Sequence, residues 1–92
     1  MFGDMILIYN TATGKFFAGR ERRTKIYEAD EPPYRYYWVK SVERAKRSSD
    51  LNAMHRICAD IGPEVRIVSE TSADRIVRLR EYREAHGNGI RQ

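Results

Sequence analysis

The sequence predicts an α+β domain: a mainly antiparallel sheet of three to five strands, with one or two helices packed on one face. Three observations predict it. Two apolar runs near the start are joined by a short link of turn-forming residues. An aromatic segment of strand composition follows a long charged stretch. One segment of helical periodicity carries both a start and a stop signal, and a short apolar strand comes directly after it.

The first apolar run is Met5-Ile6-Leu7-Ile8-Tyr9 and the second is Lys15-Phe16-Phe17-Ala18. Asn10-Thr11-Ala12-Thr13-Gly14 lies between them, so the pair reads as a β-hairpin. Residues 20–33 are polar and end in Pro32-Pro33, which cannot sit inside a helix. They read as an exposed loop, with room for a short strand over 24–28. Residues 35–40 form a strand. Its alternation sets Tyr34, Tyr36 and Trp38 on one face and Arg35, Tyr37 and Val39 on the other. Both faces carry apolar mass, which suits a central strand. Ser48-Ser49-Asp50 offers N-cap chemistry, and Leu51, Met54, Cys58 and Ile61 follow at helical spacing, widened by Ile57. Gly62-Pro63 stops that helix. Residues 64–69 form a strand through Val65, Ile67 and Val68.

Residues 72–85 admit two readings. Ser72 as a cap, the i,i+4 pairs Asp74/Arg78 and Arg80/Glu84, and a shared face for Ile76 and Leu79 favour a helix. Arg75-Ile76-Val77-Arg78-Leu79-Arg80 as a hairpin partner for 64–69 is the competing reading. The residues from His86 onward are expected to fray.

The 92 residues fit one domain with a modest core. At 41% hydrophobic and 33% charged, the chain is too apolar for a disordered tail. No run approaches the roughly 18 apolar residues of a membrane span, and the start lacks signal-peptide character. The single cysteine, Cys58, excludes an internal disulfide framework and fits a reducing cytoplasm.

The net charge of +4 is localised. Residues 20–47 hold nine basic and five acidic side chains, and the rest of the chain holds eight of each. Thirteen of the seventeen cations are arginine, whose planar fork suits phosphates, carboxylates and aromatic faces.

Catalytic patterns are absent. Cys58 with His55 three residues earlier is a conceivable nucleophile pair, but the thiol lies on the apolar stripe and reads as packing. His86 near a helix end is explained by the helix dipole. One cysteine and two histidines, spread from 55 to 86, make a metal site improbable. Gly14 and Gly19 are isolated, so no phosphate loop is present. No enzyme activity, cofactor or small-molecule substrate is expected.

One constellation points to binding. Arg20, Arg22, Arg23, Lys25, Arg35 and Lys40 surround the rings of residues 34–38. Arginines neutralise phosphates and rings stack on unpaired bases. Trp38 and some of the tyrosines are expected in the core, while the arginines are expected to face a partner.

The segments "MILIYNTATGKFFAG", "YYWV", "ERAKRSSDLNAMHRICADIG" and "EVRIV" together resemble, in architecture, small phage-encoded accessory proteins of the anti-CRISPR kind. The resemblance spans residues 5–69, and no residue motif defines it. It implies an inhibitor that binds a bacterial CRISPR–Cas surveillance complex, its protein subunits and guide RNA, and occludes the target nucleic-acid site. Many such inhibitors are acidic mimics of DNA. This chain is basic, which implies acidic protein patches or the guide RNA as the contact. Two further readings stand beside it: a stand-alone basic RNA- or DNA-binding domain and, more remotely, a toxin-type ribonuclease.

Overall fold

The computed structural model describes residues 5–24 and 33–86. The chain runs β1 (Ile6–Asn10), β2 (Lys15–Arg22), β3 (Tyr34–Val39), α1 (Leu51–Ile61), β4 (Val65–Ser69) and α2 (Glu70–His86). The four strands make one antiparallel sheet in the order β3-β2-β1-β4. The α+β class is as expected. The short strand suggested over 24–28, most of the loop before Pro33, and the end beyond 86 lie outside the described residues.

Asn10 organises the first turn. It is buried, and its Oδ1 accepts from the backbone N–H groups of Ala12 (2.9 Å) and Thr13 (3.1 Å). Both the N–H and the hydroxyl of Thr11 donate to the Glu64 carbonyl at 2.8 Å. The hairpin is thereby tied to the start of β4.

Leu7, Ile8, Phe16 and Phe17 are all essentially inaccessible to solvent. Consecutive strand residues point to opposite faces, so the sheet must be covered twice. Leu7 and Phe16 pack with Ala73 of α2, joined by Ile76 and Val77. Ile8 and Phe17 pack with Met54 and Ile57 of α1. The two helices are therefore divided between the faces instead of sharing one, because the first hairpin is apolar on both sides.

The connection from β3 to α1 makes this possible. β1 and β2 pair beside the turn, at Tyr9↔Phe16 and Asn10↔Lys15. Farther along, Lys46 donates to the Phe17 carbonyl (2.9 Å), and Ser48 exchanges backbone bonds with Ile6 (2.8 and 3.0 Å). Val42 and Ala45, just before this segment, belong to the α2-side core. Residues 46–48 thus bond to both strands as the chain passes from one face to the other.

α1 begins as the sequence indicates. The Asp50 side chain accepts from the Ala53 N–H at 3.0 Å. Gly62 closes it at φ +139, donating to the Cys58 carbonyl at 3.0 Å. Residues 72–85 are helical, within an α2 that starts directly at the end of β4. Ser69 provides its side-chain cap, accepting from the Ser72 N–H at 3.1 Å, so Ser72 is not the cap. Leu79 does not share the buried face of Ile76 and is 48% exposed. The inward row continues through Arg80, whose Nη1 donates to the Lys40 carbonyl (3.4 Å) and whose Nη2 donates to the Gly14 carbonyl.

Two expectations for residues 20–40 are corrected. Arg20, Glu21 and Arg22 are strand, not loop, because β3 supplies backbone partners as far as Arg22↔Tyr34. β3 is an edge strand, not a central one. Its two-sided apolar character comes from a sheet covered on both faces, not from strands on both flanks.

The β2–β3 ladder is interrupted once. Phe17 pairs with Trp38 and Gly19 with Tyr37, leaving Ala18 as the extra residue of a β-bulge. Gly19 adopts φ +144, a region nearly closed to L side chains, although a Cβ there would meet nothing within 4 Å. Gly19→Ala is therefore expected to destabilise through backbone strain alone, by about 1–3 kcal/mol. Urea unfolding measures this, and an unchanged midpoint would show that the bulge tolerates a side chain.

Candidate functional site

The bulge determines which side chains meet. Without it, Arg20 would point away from Phe17's face. With one residue added, Arg20 and Arg22 point to the same side as Phe17, the side covered by α1. Cross-strand partners share a face, so Arg20 lies beside Tyr36 and Arg22 beside Tyr34. Tyr34, Tyr36 and Trp38 share one face as their alternation indicated. Tyr36 and Trp38 are half-buried against the α1 core, and their rings lie 6.3 and 6.0 Å from that of Phe17.

Beyond α1's cover the same face becomes charged. The Arg20 guanidinium sits 4.1 Å above the Tyr34 ring centroid. The Arg22 guanidinium lies 5.7 Å from that centroid, with Nη1 3.5 Å from the tyrosine hydroxyl. Arg20 Nη1 also pairs with Asp60 Oδ2 of α1 at 3.2 Å, and 30% of the Arg20 side chain remains exposed.

Each contact is weak. An exposed cation–π pair contributes about 0.5–1 kcal/mol. An exposed ion pair contributes about 0–1 kcal/mol. Like charges two residues apart on one strand face oppose them. The arrangement therefore organises two guanidinium groups around one ring without adding much to stability.

The opposite face at this end is charge-balanced. Arg35 stands across from Glu21 in the ladder. The Tyr37 hydroxyl donates to Glu21 Oε1 at 2.6 Å. That bond, with lesser help from partial desolvation and the carboxylate's charge, raises the phenol above its ordinary value of 10.0.

The six residues expected to contact a partner are thus dispersed. Arg20 and Arg22 form one cluster. Arg23 is half-buried beside it, where its N–H donates to the Pro33 carbonyl at 2.9 Å and closes the ribbon. Arg35 is on the other face, and Lys40 lies at the far end of β3. Lys25 lies outside the described residues. Asp60 had no signal in the sequence, since 40 positions separate it from Arg20. Of the rings in the aromatic segment, that of Tyr34 has a guanidinium over it.

The conceivable nucleophile pair is not supported by its surroundings. Cys58 packs against the α1-side core, and burial raises its thiol pKa. His55 is exposed on α1. Among the described residues, no group of three or more His, Cys, Asp or Glu side chains could hold a metal, and no helix is long and apolar enough to cross a membrane. No family model, curated protein or solved structure matches the chain.

Two titrations test this description. Tyr37 should ionise above the ordinary tyrosine value, followed by absorbance near 295 nm, and Glu21→Gln should bring it back down. The raised value favours the neutral phenol on folding. Its contribution to stability is therefore intact below pH 10.0 and fades as pH rises through the folded value. Cys58 should react with a thiol reagent several-fold more slowly in the native protein than in denaturant at the same pH. Equal rates would show an accessible thiol.

Proposed function

We propose that the chain is a non-catalytic binding domain that docks on a nucleic-acid-bearing target through the Arg20–Tyr34–Arg22 surface. One observation carries the reading: two guanidinium groups are gathered on the same ring at an exposed strand end. Guanidinium planes neutralise phosphates and stack on unpaired bases. The positive excess of residues 20–47 and the dominance of arginine support it.

The resemblance to anti-CRISPR proteins read in the sequence implies a bacterial CRISPR–Cas surveillance complex as the target. The arginine cluster would contact the bound guide RNA, and the body of the domain would occlude the site where target nucleic acid enters. A basic surface suits contact with RNA, whereas an acidic one would suit mimicry of DNA.

The expected outcome is that Arg20→Ala/Arg22→Ala lowers affinity for the guide-loaded complex by tenfold or more, as the loss of about 1.4 kcal/mol or more would produce. Thermal unfolding should confirm a folded variant. The salt slope of binding should fall by about one for each phosphate contact removed. Unchanged binding by this variant would remove the proposal. Binding of the wild-type chain to short free RNA or duplex DNA, lost between about 50 and 200 mM salt, would instead favour a stand-alone nucleic-acid-binding domain.

A further inference from the structure

α2 carries four arginines, Arg75, Arg78, Arg80 and Arg83, and four carboxylates, Glu70, Asp74, Glu81 and Glu84. The charges are sorted around the helix. Arg80 is engaged by the carbonyls of Gly14 and Lys40. Glu81 and Glu84 line the groove between α2 and residues 40–43. Arg75, Leu79 and Tyr82 line an adjoining surface, with Asp74 as its sole carboxylate, and Asp74 and Arg78 stand on the border between the two.

That surface faces away from the sheet. Ala73, Ile76 and Val77 pack inward, whereas Leu79 is 48% and Tyr82 is 62% exposed. Positions 75, 78, 79 and 82 repeat as i, i+3, i+4 and i+7, a second helical stripe on the side away from the core. Tyr and Arg are enriched among the residues that dominate interface energetics.

We propose that this outer stripe of α2 docks an acidic amphipathic helix of a partner protein. Charge complementarity selects the occupant. Arg75 and Arg78 border the apolar pair, so carboxylates flanking the partner's apolar residues would meet guanidinium forks. A second copy docking through the same stripe would bring arginines against arginines. Nucleic acid would leave Leu79 without an apolar contact. α2 covers the sheet face opposite α1, so the stripe is separated by the sheet from the Arg20–Tyr34–Arg22 cluster. Both surfaces can be occupied together, and the stripe does not depend on the nucleic-acid reading.

The test is an amide chemical-shift titration of the isotopically labelled full chain. The probe is a blocked 16-residue helical peptide with Leu and Phe at i, i+3, i+4 and i+7 and glutamates alongside. A second peptide has lysine in place of each glutamate. The acidic peptide is expected to shift amides within 71–83, and Arg75→Glu/Arg78→Glu should weaken it at least tenfold and favour the lysine peptide. Leu79→Ser/Tyr82→Ser, which leaves the charges intact, should weaken both peptides. Four results would overturn the proposal: no shifts along α2 at millimolar acidic peptide, equal binding of the lysine peptide, the same amides moving with oligouridylate, or the same amides moving with protein concentration alone.

Discussion

The first hairpin of the four-stranded sheet is buried on both faces, and the rest of the structure follows from that constraint. The first hairpin has no polar side to offer solvent. Leu7 and Ile8 are consecutive and fully buried, as are Phe16 and Phe17. Each inaccessible side chain of this size contributes about 1.5–3 kcal/mol by leaving water. A helix on one face alone would leave half of that gain unrealised. The chain therefore crosses between faces, and residues 46–48 make the crossing with their backbone groups bonded to Phe17 and Ile6. Arg80 ties the α2 side together, bonding carbonyls from the first turn and the end of β3.

The same ladder that buries Trp38 also positions the arginines. Up to Phe17, the α1-side face of β2 is core. After the bulge at Ala18 and Gly19, that face carries Arg20 and Arg22. A one-residue offset reverses every side chain beyond it, so the cationic cluster owes its side of the sheet to a backbone irregularity. Asp60 then holds Arg20 from the end of α1, on the flank where the helix no longer covers the sheet. Rigid scaffold and exposed contact groups are continuous along two strands. Such a surface presents guanidinium groups with less orientational freedom than a loop would allow.

Charge is sorted at two places where local neutrality would have been simpler. Arg20 and Arg22 share one ring while Glu21 and Arg35 balance on the reverse face, and α2 sets Glu81 and Glu84 apart from Arg75. Stability does not require this, since exposed pairs contribute little. Departures from local consistency concentrate where a protein meets something else. The two cationic surfaces lie on opposite sides of the sheet.

Much of the fold was legible locally. The turn at Asn10–Gly14, the Asp50 cap, the Gly62 stop and the alternation of Tyr34, Tyr36 and Trp38 each depend on neighbours within a few residues. The charge of residues 20–22 concealed a strand, because backbone pairing with β3 overrode their weak preference for it. The Leu79 expectation failed because apolar residues three apart share a helix face without showing which face meets the sheet. The class, the first turn, both signals of α1 and the concentration of arginine near the aromatic strand rest on short-range geometry and composition, so they could be read along the chain. The order of strands, the division of helices between faces, the partnership of Arg20 with Asp60 and the separation of Arg35 and Lys40 from Arg20 emerged only on folding. These depend on which distant segments come together to bury apolar surface, and that is not encoded by spacing along the chain.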